Sequence, residues 1–167
     1  MRGTCDQGWF QSGGGGTVNE SPWGGDFEEP PVSSPLPFTR SDSLTLAPFK
    51  SAVPCARYHV SAILVEWDLG AVIEDAELIV SELVTNAVSA SEDSGDPIEV
   101  RVFASNEGLV IEVWDVSAGL PVKRDPSEDE PDGRGLMLIE ALSSEWGAGK
   151  GPQGAKVVWA RLHISSR

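Results

Sequence analysis

Between Ile73 and Ala90 apolar residues recur at the period of an α-helix, and just beyond, at Ile98, the period changes to two. Ala76, Val80, Leu83, Val84, Ala87 and Val88 share one broad face of the first segment, with Asp75, Glu82, Asn86 and Ser89 on the other side. Ser94-Gly95-Asp96-Pro97 closes it. Ile98, Val100 and Val102 then alternate with Glu99, Arg101 and Phe103, and Leu109–Trp114 is a denser apolar run. The turn between these runs holds Asn106 and Gly108, which predicts an antiparallel hairpin.

The flanks extend this plan. Ser43–Leu46 alternates like a short strand, and Ala56–Asp68 is helical in period, with Val60, Ile63 and Leu64 on its apolar side. Trp67–Gly70 breaks that helix. A proline-rich, charged loop runs from about Asp115 to Asp132, and Gly133-Arg134-Gly135 opens a helix through Leu136, Ile139, Ala141 and Leu142. Gly147–Gly154 reads as a glycine-rich connection, and Val157–Ile164 as a last strand. These elements make the expected fold class α/β. Residues 1–42 read as a disordered acidic tail rich in Gly and Pro, and residues 43–167 as the folded domain. Trp9, Phe10, Trp23 and Phe27 are unusual for such a tail, but they follow no period.

The net charge of −14 repels phosphate backbones, which argues against general nucleic-acid binding and favours protein partners. No signal-peptide pattern opens the sequence and no apolar run approaches membrane-spanning length, so the expected location is the cytoplasm, away from membranes. Cys5 and Cys55 form no C-x-x-C pair and have no histidine at metal-ligand spacing. His59 and His163 occur singly and read as structural or exposed.

Three local patterns carry chemistry. In "ELVTNAV", Glu82 and Asn86 are one helical turn apart on one face. An amide oxygen suits a hard cation such as magnesium, and a neighbouring carboxylate suits the task of orienting or deprotonating a hydroxyl. In "WDVSAGLP", Asp115 ends an apolar strand, where a buried carboxylate needs a donor such as a purine exocyclic amine. Gly119 lets the backbone approach a flat ring. In "GRGLMLIEAL", two glycines and Arg134 stand at a helix start, where free N–H groups and the positive dipole end suit phosphate. Taken singly, each is more often a solvated helix face, a strand-ending turn or an ordinary helix start.

Their order, spacing and context together resemble the Bergerat-type ATP-binding domain shared by gyrase, sensor histidine kinases, heat-shock chaperone ATPases and mismatch-repair ATPases. "ELIVSELVTNAV" is similar to its N-box, "WDVSAGLP" to its first glycine box and "GRGLMLIEAL" to its second. The short helix–loop–helix ahead of the N-box and the ending "GAKVVWARL" look closest to bacterial anti-sigma-factor serine kinases. The resemblance implies an α/β two-layer sandwich with a mixed, largely antiparallel sheet and helices on one face, and ATP and Mg2+ as ligands. It implies that Asn86 holds the metal, Glu82 is the catalytic residue, acting as the base or orienting a hydroxyl, Asp115 reads adenine over Gly119, and Gly133, Arg134 and Gly135 face the phosphates. Residues 122–132 become a lid. The implied activity is that of an anti-sigma factor with serine/threonine protein kinase activity, its partners a sigma-like factor or an antagonist protein, with homodimerisation open. The alternative is an ATP-binding regulatory or scaffold module without phosphoryl transfer. Ser117 departs from the pattern, standing where the fuller first box has a glycine, and the lid carries Asp125, Glu128, Asp129, Glu130 and Asp132. Both departures imply weaker nucleotide binding.

Overall fold

The computed structural model describes residues 39–106, 108–116, 134–151 and 154–164. In chain order they form β1 (Arg40–Leu46), α1 (Ala52–Glu66), a short 3-10 turn (Gly70–Val72), α2 (Ile73–Ser91), β2 (Ile98–Ala104), β3 (Gly108–Asp115), α3 (Arg134–Leu142), β4 (Glu145–Lys150) and β5 (Lys156–His163). The strands make one five-stranded sheet in the order β1-β2-β3-β5-β4. Every pairing among the described residues is antiparallel, so the parallel component allowed by a mixed sheet is not found there.

The helices pack on one face of the sheet. Leu44, Val100, Val113 and Val158 lie side by side across four strands in register, and they join a core with the buried sides of α1 and α2. The wheel read from the sequence holds: Ala76, Val80, Leu83, Val84, Ala87 and Val88 are all buried, and Ile79 joins them. Removing a large aliphatic side chain from such a site typically costs ~2–5 kcal/mol. Glu74 and Asp75 sit in the first turn of α2, where negative charge complements the helix dipole. α1 ends at Trp67, and Asp68 takes a left-handed conformation (φ 60°) while the Leu69 N–H donates to the Leu64 carbonyl at 2.8 Å, closing the helix as the Trp67–Gly70 break predicts. Arg57 and Ser61 of α1 both bond Glu77 of α2, and together they hold its carboxyl below the usual range. His59 is structural, tied to Asp42 of β1 at 2.8 Å, whereas His163 is exposed.

β1 begins three residues before the strand read from the sequence, at Arg40. Residues 1–38, read as a disordered tail, lie outside the described residues. The larger correction concerns Gly147–Gly154. Much of this segment is not a connection, because Glu145–Lys150 is a strand paired with β5. Its glycines hide the period-2 signal, and Gly147 is there for contact. A Cβ at Gly147 would come within 2.7 Å of Cζ2 of Trp159, so the indole lies where a side chain would otherwise project.

The sheet face opposite the helices is polar and aromatic. Arg101 pairs with Glu99 at 3.0 Å and stacks over Trp114, 4.7 Å from the ring centroid. Trp114 Nε1 donates to Glu112 Oε2 at 2.8 Å. Glu112 is fully buried and its Oε1 has no hydrogen-bond partner. Burial pushes its carboxyl up to about 7, against the opposing pull of Trp114 and Arg101. A carboxyl raised in the folded state favours folding while protonated. Its contribution is full below the ordinary value of 4.5 and is lost as pH rises through about 7. Glu112→Gln is therefore expected to be more stable than the wild type at pH 8, by up to ~3 kcal/mol. The advantage should shrink toward pH 4.5. Melts at the two pH values check this, and an equal shift at both would contradict it.

Candidate functional site

Glu82 and Asn86 lie on α2 one turn apart, and both are half-buried. They occupy the border of the buried face, not its solvated opposite, where Glu74, Asp75 and Ser89 are exposed. The neighbours Leu83, Val84 and Ala87 are buried, which fixes the rotation of the helix and hence the direction of both polar side chains. Among the described residues neither side chain has a hydrogen-bond partner, so both are free for a ligand.

The structure joins α2 to the start of α3. The Glu82 carboxylate lies directly against Gly135, in the space a Cβ at that position would fill. Only glycine at 135 leaves room for the carboxylate there, which gives the second glycine of "GRG" a physical reason. The first turn of α3 presents unpaired backbone N–H groups at that point. A carboxylate and a helix amino terminus thus share one corner, an arrangement suited to a phosphate with a hydroxyl brought up to it. Arg134 is the first residue of α3. Gly119 and Gly133 lie outside the described residues, as do Ser117 and the lid 122–132.

Asp115 is the last residue of β3 and is 1% exposed. Strand alternation places it on the helix side, like Ile111 and Val113. Opposite it on β5 is Lys156, whose Nζ lies 3.1 Å from Oδ2 of Asp115. Sequence reading missed this lysine. It stands just before the alternating run Val157–Ile164, and only the strand register reveals that it faces Asp115.

Among the described residues no cluster of three His, Cys, Asp or Glu side chains could hold a metal. Magnesium does not demand one, since it retains waters and is often shared between a single protein oxygen and phosphate. Asn86 fits such a role. A separate cavity of about 510 Å³ lies at the other end of the strands, beside Arg40, Trp67 and Asn106, and none of Glu82, Asn86, Asp115, Gly135 or Lys156 lines it. No described helix is long and apolar enough to cross a membrane.

A two-layer sandwich whose helix face holds a buried strand-end aspartate, a half-buried Glu/Asn pair and a glycine-opened helix defines an ATP-binding domain of the histidine kinase-like type. Residues 50–161 match the family model for the histidine kinase-like ATPase domain, and the chain belongs to that family. No curated protein matches the chain.

Gly135→Ala tests the corner between α2 and α3. The added methyl must displace the end of the Glu82 side chain, which is flexible, so the fold should survive with stability changed by no more than ~1 kcal/mol. ATP affinity is expected to fall severalfold, measured by calorimetry beside a thermal melt. Unchanged affinity would remove that corner from the nucleotide site.

Proposed function

We propose that the protein is an ATP- and magnesium-dependent regulator of the anti-sigma-factor type, which binds a sigma-like factor and phosphorylates a serine or threonine of an antagonist protein in the cytoplasm. The observation that carries this reading is the position of Glu82. Its carboxylate lies against Gly135 in the first turn of α3, with no hydrogen-bond partner among the described residues. A module that only binds nucleotide needs no base there.

The roles follow from the residues. Asp115 accepts a hydrogen bond from the exocyclic amine of adenine. The amide oxygen of Asn86 is a hard ligand for magnesium. The first turn of α3 receives phosphate oxygens on its N–H groups. Bound ATP supplies the γ-phosphoryl group. The hydroxyl oxygen of the substrate forms the new bond to phosphorus as the bond to the bridging oxygen of ADP breaks, and Glu82 takes the hydroxyl proton. Positioning dominates such transfers, and the packing of α2 fixes the point from which the Glu82 side chain reaches the corner. The acidic surface, at −14 overall, suits a partner with a basic docking face.

Glu82 and Asn86 separate chemistry from binding. Glu82→Gln should keep ATP affinity within about threefold of wild type while transfer falls by about a hundredfold or more. Asn86→Ala should lose the magnesium-dependent part of nucleotide binding and, with it, transfer. Calorimetry reads the affinity. Labelled ATP with co-purifying proteins, followed by mass spectrometry of phosphoserine and phosphothreonine, reads the transfer. Wild-type transfer in Glu82→Gln would remove its catalytic role, and absence of transfer in the wild type with its bound partner would favour the regulatory scaffold without phosphoryl transfer.

A further inference from the structure

The carboxylate at the end of β3 is held by a residue that belongs to none of the three motifs. Asp115 and Lys156 are directly opposed in the β3–β5 register, and their charged atoms are 3.1 Å apart. Their side chains are 1% and 8% exposed. Both lie on the helix side of the sheet, where their strand neighbours Val113 and Val158 belong to the hydrophobic core. A buried ion pair is a poor device for stability alone, because apolar residues of similar size commonly serve a fold as well or better. Lys156 nevertheless opens a strand that continues Val157, Val158, Trp159 and Ala160, all buried. Its ammonium group is thus kept out of water at one place, beside the carboxylate that faces the base.

The chemistry of that carboxylate explains the need. An ionised carboxylate is an acceptor at both oxygens, whereas a neutral carboxyl turns one oxygen into a donor. An exocyclic amine requires an acceptor. A buried carboxylate that loses the ammonium paired with it is held less firmly in direction, and a carboxylate that turns no longer aims its acceptor at the amine.

We propose that Lys156 is the positioning residue of the nucleobase pocket: its ammonium supplies the counter-charge and fixes the orientation that let Asp115 present an acceptor to the exocyclic amine. Lys156 acts through Asp115 and does not itself touch the base. The inference rests on the ATP reading above and extends it to a residue outside the motifs.

The test is a double-mutant cycle on the full chain, with ATP affinity by calorimetry and a thermal melt of every variant. Lys156→Met should weaken ATP by about tenfold or more. Lys156→Arg, which keeps the charge, should restore affinity to within about threefold. In an Asp115→Asn background, where affinity is already reduced, Lys156→Met should add less than about threefold, because the group it acts through is gone. Lys156→Gln is measured in parallel, so that a Met variant that does not fold leaves the comparison intact. Wild-type affinity in the folded Met or Gln variant, with Asp115→Asn weakened, overturns the role of Lys156 and leaves the ATP reading standing. Equal losses in both backgrounds overturn it too, since Lys156 would then contact nucleotide directly. Wild-type affinity in Asp115→Asn would remove Asp115 from the site and take the inference with it.

Discussion

The packing of α2 on the sheet is the constraint on which the site depends. Seven apolar side chains from Ala76 to Val88 are committed to the core, so the helix has no freedom to roll. That leaves Glu82 and Asn86 at the edge of the buried face, one above the other, and turns the Glu82 carboxylate onto Gly135. The same packing sets the distance between the N-terminus of α3 and the polar edge of α2. The hydrophobic core thus fixes where both polar side chains leave the helix, and the corner with α3 needs no separate scaffold.

Electrostatics divides the two faces of the sheet. On the helix side Asp115 and Lys156 form a close pair at the strand ends, in line with the site. On the other side Glu99, Arg101, Trp114 and Glu112 form a buried polar and aromatic cluster, within which Glu112 carries the clearest perturbation. Perturbed carboxyls often mark active sites, but this one faces away from α2 and α3, and its shift follows from burial. The group with the most displaced titration thus lies on the face away from the candidate site. Glu82 stands out instead by its place beside Gly135 and by having no hydrogen-bond partner among the described residues.

Much of this was legible in the sequence, for physical reasons that differ by element. α2 could be read almost residue by residue because its core face is broad and its period unbroken. The β2–β3 hairpin was legible from alternation and from the Asn106–Gly108 turn, with Ser105 N–H now seen donating to the Gly108 carbonyl at 2.9 Å. β4 was not, because strand propensity is low in a run with glycine at 147 and 149, and its pairing with β5 depends on the Trp159 indole packing over Gly147. Lys156 was not legible as a site residue because its meaning lies in a cross-strand partner 41 positions away in the chain. Spacing exposes neighbours on one helix, such as Glu82 and Asn86, but not partners in a register.

A domain that binds ATP with magnesium at the corner of α2, α3 and the β3 end gains stability from that ligand. A ligand that binds only the native state adds about RT ln(1 + [L]/Kd) to its stability. The most direct measurement is the thermal melt of the full chain with and without millimolar ATP and magnesium. Saturating ligand at about a hundred times Kd should contribute ~2.7 kcal/mol, which would appear as a rise of several degrees in Tm that depends on nucleotide concentration. A melting temperature unmoved by ATP and magnesium at several millimolar would contradict the account.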